Sequence, residues 1–518
     1  MKRAAGRTRA WAPFVAERPP PGLRMPPQER PRMPQKFRMA LACAATAALT
    51  GSLLAAGSAP AGAAPAPAPG EDRIRADFNG DGYGDLAIAA PTARISGKSG
   101  AGYVAVVYGT ARGLDTTKRT LISQATSGIP GTPESSEYFG DRLTSGDLDD
   151  DGYTDLVVGV HAERIGSTDD SGALTVIWGG ASGLKKATDI TSPLPANRHE
   201  LGWSVATGDF DGDGRTDLAA ANLASPELNL FKGPISRTGK AVKRTGIDTY
   251  GATGINTDRI VAGDVNGDAA TDLLIMGQEE HGEGYRTRSV LYTGGTTPQP
   301  AGKVAGGYAA TIADVDKDGY GDLVTGNFME KSTDEPNGGK GGAVTVTYGA
   351  AAGLSTRTPV RVTQATSGVP GAAEKGDAFG WSLSAGDTNG DGYADIAVGA
   401  ESETVGSAAK AGSVVVLRGS ARGLTGTGAK AFSQSTSGVP GTAERMDDFG
   451  GAVQLTDVDG NGRAELVAGA AHENDGAGAV WLFKSTASGI TATGSTSFGA
   501  GAVGGPSGLS YFGDVLRG

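Results

Sequence analysis

The sequence contains few cysteine, histidine and aromatic residues, which often stabilise a protein of this size or form its functional sites. It has one cysteine, Cys43, and four histidines among 518 residues, and aromatic residues make up only 6%. A single cysteine excludes an intramolecular disulfide. Motifs of serine hydrolases, zinc proteases and phosphate-binding loops are missing, so we predict that the chain is not an enzyme. No apolar run after residue 70 is long enough to cross a bilayer, which predicts no membrane span in the mature chain.

Basic residues are also scarce beyond the N-terminal part. Residues 1–70 contain ten of the 46 Lys and Arg residues and two of the 57 Asp and Glu residues, so the remainder carries a net charge of −19. Because binding to phosphates needs a basic face, we predict no nucleic-acid partner. The acidic remainder instead favours cations as ligands.

The N-terminal part has the pattern of a targeting segment. Lys36 and Arg38 precede the Ala/Leu-rich stretch Met39–Ala56, and small residues follow up to Ala64. A basic, then apolar, then small-residue order is typical of a secretory signal peptide, which predicts a secreted, extracellular protein. The predicted divisions are an upstream extension or long basic n-region (1–35), a signal peptide (36–64), a Pro/Ala linker (65–75) and the folded domain (76–518).

Glycine, by contrast, is abundant at 85 residues, which is typical of many tight turns between short strands. Part of this glycine belongs to a nine-residue acidic loop that occurs seven times. Oxygen side chains occupy loop positions 1, 3, 5 and 9, and position 7 can add a backbone carbonyl. Alternate residues of a tight loop point toward one centre, and hard oxygen ligands at flexible spacing favour Ca²⁺ over Mg²⁺.

The seven loops predict up to seven Ca²⁺ sites. The fourth loop has Ala269 where other loops have glycine at position 6, and its occupancy is doubtful. The predicted ligands, in chain order, are Asp77, Asn79, Asp81, Tyr83 and Asp85; Asp147, Asp149, Asp151, Tyr153 and Asp155; Asp209, Asp211, Asp213, Arg215 and Asp217; Asp264, Asn266, Asp268 and Asp272; Asp314, Asp316, Asp318, Tyr320 and Asp322; Asp387, Asn389, Asp391, Tyr393 and Asp395; and Asp457, Asp459, Asn461, Arg463 and Glu465.

Two other interpretations of the loop are less consistent with the sequence. An EF-hand needs a glutamate at position 12 and flanking helices, whereas position 12 here is Val, Ile, Ala or Thr and the loop leads into a strand. A metal-free acidic turn accounts for one copy but poorly for seven at similar spacing.

The segments around the loops predict the fold. An aromatic-glycine pair lies eight residues before several loops, as in Phe139-Gly140 and Phe449-Gly450, and short alternating strands follow each loop. Three or four strands per unit without helical periodicity predict an all-β, seven-bladed β-propeller. The C-terminal segment, Tyr511–Gly518, repeats the sequence that precedes a loop and then stops. We predict that it completes the first blade and closes a monomeric ring.

Together, the aromatic-glycine pair, the acidic loop and the Gly-Ala strand end resemble FG-GAP repeats, which form the β-propeller of integrin α-subunits and of many bacterial secreted proteins. This resemblance implies Ca²⁺ in loops on one face and partners docking on the opposite face. It favours an extracellular binding or adhesion module for a protein or polysaccharide. Alternatives are a secreted hydrolase or lyase with a site at the mouth of the central channel, and a scaffold in a larger envelope assembly. Candidate residues on the partner face, from the resemblance, are Glu163, Arg164, His199, Phe328, Met329, Glu401 and His472.

Two further features of the sequence each allow two interpretations. A segment reading Q-(A/S)-T-S-G-(I/V)-P-G begins at Gln124, Gln364 and Gln434, and favours a turn between blades over a partner-binding loop. His161 and His472 each have a glutamate nearby, Glu163 and Glu473, which is compatible with an acid–base or transition-metal site, but we expect solvated loop histidines instead.

Overall fold

A computed structural model describes residues 76–191, 198–223, 225–239, 242–282 and 284–518. The predicted upstream extension, signal peptide and linker, with Cys43, lie outside these residues. The part that is described contains only short helices, none with the length and apolar character needed to cross a bilayer.

The described chain forms seven four-stranded antiparallel sheets, which are the blades of a β-propeller. The strands of each blade are as follows, from the innermost outward: blade 1, Leu516–Arg517, Leu86–Ala90, Tyr103–Tyr108 and Asp115–Ile122; blade 2, Arg142–Gly146, Asp155–Val160, Ala173–Trp178 and Lys186–Thr191; blade 3, Leu201–Gly208, Asp217–Asn222, Ser225–Phe231 and Arg244–Asp248; blade 4, Ile255–Gly263, Asp272–His281, Gly284–Thr293 and Gln299–Val304; blade 5, Ala309–Ala313, Asp322–Asn327, Ala343–Thr347 and Val360–Val362; blade 6, Phe379–Gly386, Asp395–Ala400, Ser413–Arg418 and Thr425–Phe432; blade 7, Ala452–Thr456, Glu465–Ala470, Ala479–Lys484 and Thr491–Gly499.

The remaining elements are small. Blade 5 carries a short hairpin, Gly349–Ala350 with Gly353–Leu354, before its fourth strand. Helical turns span Thr249–Thr253, Glu473–Gly476 and Ala500–Val503, the last being a 3₁₀ turn. These turns connect strands or follow a blade's outer edge, so the prediction of an all-β fold is confirmed.

Burial along the strands follows their place in the blade. Every residue of the second strand of blade 1, Leu86–Ala90, is buried, whereas the fourth strand, Asp115–Ile122, has three exposed, four half-buried and one buried residue. A strand covered by a neighbouring blade on both faces needs a continuous apolar run, and an outer strand does not. The hydrophobic core therefore lies between adjacent blades, as in the cluster that joins Val104 of blade 1 to Phe139 and Leu156 of blade 2.

The C-terminal strand joins the first blade. Leu516 pairs with Ile88, and Arg517 pairs with Ala87. This strand also contacts the innermost strands of blades 7 and 2, so the innermost strands follow one another in an unbroken cycle. Joining the two chain ends in one sheet removes the exposed edges that an open ring would leave.

The aromatic-glycine pair and the Gly-Ala strand end meet at the boundary between blades. Phe449 of blade 7 is fully buried, and its N–H donates to the carbonyl of Ala411 in blade 6. A Cβ built on Gly399 of blade 6 would overlap the carbonyl oxygen of Gly450. The same close approach recurs at Gly159, Gly326 and Gly469. Glycine is therefore required here because two backbones touch, not because of a special φ.

Candidate metal centres

The acidic loops precede the second strand of every blade, connect it to the first strand in blades 2 to 7, and lie on one face of the propeller. In four loops, the carboxylates at positions 1, 3 and 9 bring oxygen atoms within 4.8 Å of one another. These groups could hold metal ions, and they are Asp147, Asp149 and Asp155; Asp209, Asp211 and Asp217; Asp314, Asp316 and Asp322; and Asp457, Asp459 and Glu465. The other three loops have asparagine at position 3, which leaves two carboxylates at these positions.

The first aspartate of each loop shapes the turn. Its Oδ2 accepts the N–H of position 6 in all seven loops, at 2.7–3.1 Å, as Asp77 does from Gly82. A glycine with positive φ meets this need without a Cβ penalty, and Gly82 has φ +87°. The turn thus holds the position 1 carboxylate in place by backbone hydrogen bonds.

The acid at position 9 of each loop is buried and links two strands by hydrogen bonds. Asp85 is fully buried, and its two oxygens accept the N–H groups of Phe78 and Gly109, both at 2.9 Å. The bond to position 2 recurs in all seven loops at 2.8–3.3 Å. This carboxylate fixes the start of the second strand to the end of the third, and in the four three-acid groups it also faces the other acids.

Position 5 plays a different part from the one expected of a ligand. Its side-chain oxygen accepts the N–H of position 7 in every loop, at 3.0–3.1 Å. Among the described residues it does not belong to the three-acid groups. Coordination by position 5 and by the carbonyl of position 7 therefore stays a prediction.

Buried oxygen atoms without partners support a cation at three loops. Asp149, Asp211 and Asp316 occupy position 3, and in each the Oδ1 atom is buried with no hydrogen-bond partner. A buried carboxylate oxygen without a partner carries a desolvation cost that a bound cation would remove. The donor set, which consists only of oxygen atoms, fits a hard cation.

The outer oxygens of the same three aspartates are paired with basic side chains. Arg237 bonds both Asp149 and Asp151, Lys232 bonds both Asp211 and Asp213, and Arg357 bonds Asp316 at 2.6 Å. These are the loops with carboxylates at all of positions 1, 3, 5 and 9. One base therefore offsets one of the four carboxylates at positions 1, 3, 5 and 9, which leaves a charge of −3 from these groups for a cation to neutralise.

Asparagine replaces the base in three other loops. In the first, fourth and sixth loops the position 3 amide donates to the position 5 carboxylate, at 3.1, 2.8 and 2.7 Å. The amide oxygen also accepts the position 5 N–H. Asn79, Asn266 and Asn389 thus hold the loop without adding charge.

The loops are also linked to one another. The N–H of position 8 donates to the position 1 carbonyl of the preceding blade's loop at six boundaries, including Thr154 to Asp77 at 3.1 Å. The boundary between the last and first blades is one of these, with Gly84 donating to Asp457 at 3.1 Å. A cation in one loop would therefore stiffen the next.

The fourth loop keeps the turn although it lacks the glycine. Ala269 adopts φ +69°, and its N–H still donates to Asp264 at 3.1 Å. An alanine in the left-handed region costs about 1–2 kcal/mol. The loop is thus formed, with backbone strain at one residue.

Replacing this alanine with glycine should stabilise the protein. We expect Ala269→Gly to raise the free energy of unfolding by about 0.5–1 kcal/mol, since relief of strain exceeds the entropy cost of glycine. The matched variant, Gly82→Ala, should destabilise by about 1 kcal/mol, because nothing lies within 4 Å of its Cβ position and only φ opposes it. Urea unfolding measures both, and a destabilised Ala269→Gly would contradict the strain.

Burial sets the acidity of the position 9 carboxylates. Desolvation raises the pKa of Asp85, Asp155 and Asp322 to about 7, although backbone N–H bonds oppose the shift. Neighbouring loop aspartates raise these pKa values further by repulsion. The loops thus carry a concentration of negative charge that is costly without a cation.

Known families match the segments that carry these loops. The family model described as FG-GAP repeat matches residues 76–107, 379–417 and 449–483, and the one described as FG-GAP-like repeat matches residues 147–220. The chain contains FG-GAP repeats. Its matched segments span acidic loops in blades 1, 2, 3, 6 and 7.

The curated relatives of this chain include proteins of two kinds. Phosphatidylinositol-glycan-specific phospholipase D of Rattus norvegicus is 30% identical over 223 residues, covering 43% of this chain and 25% of that protein. Integrin alpha-PS5 of Drosophila melanogaster is 29% identical over 167 residues, covering 31% of this chain and 15% of that protein. Integrin alpha-E of Mus musculus is 30% identical over 157 residues, covering 29% and 13%. The FG-GAP chain thus spans about a quarter or less of the length of these relatives.

The opposite face of the FG-GAP propeller carries half-buried aromatic rings near the innermost strands. We define the channel mouth as the starts of the innermost strands and the residues after the second strands. Phe328 lies between Tyr308 and Trp381, with ring centroids 4.7 and 4.6 Å apart. Trp203 meets His161 edge-on at 5.1 Å, and Arg142 lies 5.0 Å over its ring.

Acid–base groups from adjacent blades share the channel mouth. His161 lies 3.4 Å from Asp141, and His472 lies 2.9 Å from Asp448. Asp448 raises the pKa of His472, and burial raises the pKa of Glu401 to about 9. Burial, with repulsion from Asp141, raises the pKa of Asp514 to about 6. Shifted pKa values gathered in a recess are typical of binding or catalytic sites.

The structure separates the predicted partner-face residues. Phe328, Glu401 and His472 lie at the channel mouth, and Met329 follows Phe328. Arg164 instead pairs with Asp169 at 2.8 Å, His199 lies 3.2 Å from Asn222, and Glu163 bonds to Gln124. Four further residues of the channel mouth were not predicted from the sequence, although each directly follows the aromatic-glycine pair or its Leu-Gly equivalent: Asp141, Trp203, Trp381 and Asp514. The histidines pair with these or neighbouring aspartates and not with the glutamates suggested by sequence proximity.

Proposed function

We propose that this chain is a secreted, calcium-binding β-propeller that binds an extracellular protein or polysaccharide at its channel mouth. The observation that carries the proposal is the group of half-buried aromatic rings beside carboxylates and histidines on the face opposite the acidic loops. Aromatic rings supply large apolar contact area at little entropy cost, and nearby polar groups add direction. The integrin relatives, by their names alone, agree with a binding role.

Ca²⁺ is the proposed cation of the acidic loops. Bound Ca²⁺ would neutralise the converging carboxylates, and the position 1, 3 and 9 oxygens would hold it. The carboxylates of position 1 are already oriented by backbone N–H groups, so binding needs little reordering of the loop. In this proposal the calcium face stiffens the ring, and the channel mouth makes the contact.

A ligand array with channel-mouth variants tests the binding role. We expect a protein and glycan array probed in 2 mM Ca²⁺ (about the upper range of extracellular module affinities) to give a ligand whose binding falls at least tenfold in Trp381→Ala, because a buried aromatic anchor is lost. Tyr285→Ala removes an exposed ring from the blade 4 hairpin and is the matched control. A ligand lost equally in both variants, or in neither, would contradict binding at the channel mouth.

A catalytic role is the second candidate, favoured by the two Asp–His pairs. Groups whose pKa values are pushed apart in one recess, such as Glu401 and Asp514, can serve as acid and base. The phospholipase D relatives also fit a hydrolytic role. Release of product from array ligands by the native chain, abolished in Asp448→Asn, would favour the enzyme over the binding module.

A further inference from the structure

The segments that begin at Gln124, Gln364 and Gln434 make the same contact at three blade boundaries. In each, the glutamine Nε2 donates to a glutamate of the next blade at 2.6 Å, pairing Gln124 with Glu163, Gln364 with Glu403 and Gln434 with Glu473. The predicted turn between blades is therefore present. The glutamine segment does more than form the turn, because a second acid lies at each of these contacts.

The second acid is Glu137, Asp377 or Asp447, and it is almost fully buried. These side chains are 2–3% exposed, and one oxygen of each accepts a backbone N–H three residues earlier, at 2.6–2.7 Å. At the third boundary, Glu473 and Asp447 lie within hydrogen-bond reach of each other. We call each set of one glutamine and two acids a boundary site.

Basic side chains act on the boundary-site acids only at longer range, as Lys98 and Arg164 do on Glu137 and Lys340 does on Asp377. Among the described residues, no Lys, Arg or His forms an ion pair with any of the six acids. Two like charges brought together and away from water repel each other and lose hydration. A bound cation or a shared proton would offset this cost at neutral pH.

Buried oxygen atoms without hydrogen-bond partners indicate a bound cation and not a shared proton. Oε1 of Gln124, Gln364 and Gln434 is buried and has no hydrogen-bond partner, and these side chains are 2–7% exposed. Glu137 Oε1 is likewise buried without a partner. The glutamine Oε1 shares a carbon with the Nε2 that touches the glutamate, so it lies at the boundary site. A proton shared between the acids would leave this carbonyl oxygen unsatisfied, whereas a cation would bind it.

We propose that the boundary sites are a second set of Ca²⁺ sites, separate from the acidic loops and situated between blades 1 and 2, 5 and 6, and 6 and 7. Each offers two carboxylates and one amide carbonyl, which are ligands that Ca²⁺ prefers. Because the ligands come from consecutive blades, bound Ca²⁺ joins the blades in pairs. The other four boundaries lack the glutamine segment, so only three such sites are expected.

Counting bound calcium tests the proposal. The triple variant Glu163→Gln, Glu403→Gln and Glu473→Gln keeps the side-chain shape and removes one carboxylate from each boundary site. We expect equilibrium dialysis of the full chain at pH 7.5 to show three fewer bound Ca²⁺ ions than the native chain. The matched control, Glu134→Gln, Glu374→Gln and Glu444→Gln, has the same charge change in the same turns and should bind the native number.

An unchanged calcium count in a folded triple variant would overturn the proposal. If that variant also loses the native pH dependence of unfolding between pH 6 and 8, the boundary sites hold a shared proton instead of Ca²⁺. If the triple variant does not fold, the single variant Glu473→Gln must bind one Ca²⁺ fewer. These counts do not depend on any ligand of the channel mouth, so failure here leaves the proposed function standing.

Discussion

Removing Ca²⁺ at pH 7.5 will lower the melting temperature of the chain by at least about 10 °C and expose it to protease. The seven acidic loops place 24 carboxylates at ligand positions. Each occupied site contributes about 2.7 kcal/mol when free calcium is 100-fold above its Kd. Several sites together therefore exceed the stability margin of a typical domain, about 5–15 kcal/mol.

The pH dependence of the metal-free chain checks the same cause. Burial raises the pKa values of three position 9 acids, Asp85, Asp155 and Asp322, to about 7 in the folded chain, from an ordinary value of 3.8. The folded state then binds protons more tightly than the unfolded state. The stability that these acids contribute is therefore fully present below about pH 4 and is lost as the pH rises to about 7. We expect chelated protein to melt higher at pH 5 than at pH 7.5, and the effect of calcium to grow over this window.

Calorimetry measures the effects of calcium and of pH on the melting temperature. The protein is compared in 10 mM CaCl₂, in 10 mM MgCl₂ and after exhaustive dialysis, and both salt concentrations are about 100-fold above an expected Kd of about 10⁻⁴ M. Mg²⁺ should restore little, because it demands near-octahedral geometry and keeps its water. Equal melting curves in all three solutions would show that the loops are metal-free turns held by their own backbone bonds.

Gly469→Ala will destabilise the ring by about 3 kcal/mol, the upper part of the range for overpacking. A Cβ at this position would overlap the carbonyl oxygen of Gly513, which belongs to the segment that leads into the closing strand. The backbone cannot rotate out of the way as a flexible side chain could. The C-terminal segment must then move away from blade 7, which weakens closure.

Gly501→Ala is the control for this variant, because nothing lies within 4 Å of its Cβ position and its φ is not positive. It should change stability by less than about 0.5 kcal/mol, as surface substitutions do. Urea unfolding compares the two, and limited proteolysis tests whether the C-terminal segment is released. Equal stability of both variants would mean that the blade boundary can open at no cost.

Much of the site was predictable from the sequence because its repeats are local. An aspartate at position 1 and a glycine at position 6 suffice to form the turn, since their hydrogen bonds lie within nine residues. The fourth loop illustrates the limit of this reasoning. Ala269 predicts doubtful Ca²⁺ occupancy, which stays a prediction, whereas the turn itself forms with Ala269 at φ +69°.

The sequence by itself determined the seven repeats, the all-β propeller and the acidic loops, because each depends on short-range periodicity and turn chemistry. Only the tertiary structure decided which residues from different blades meet. Arg237 reaches the loop of blade 2 from blade 3, and Gln434 meets Glu473 across a blade boundary. Such pairs join residues 39 to 88 positions apart, and their contact depends on how blades pack rather than on any local pattern.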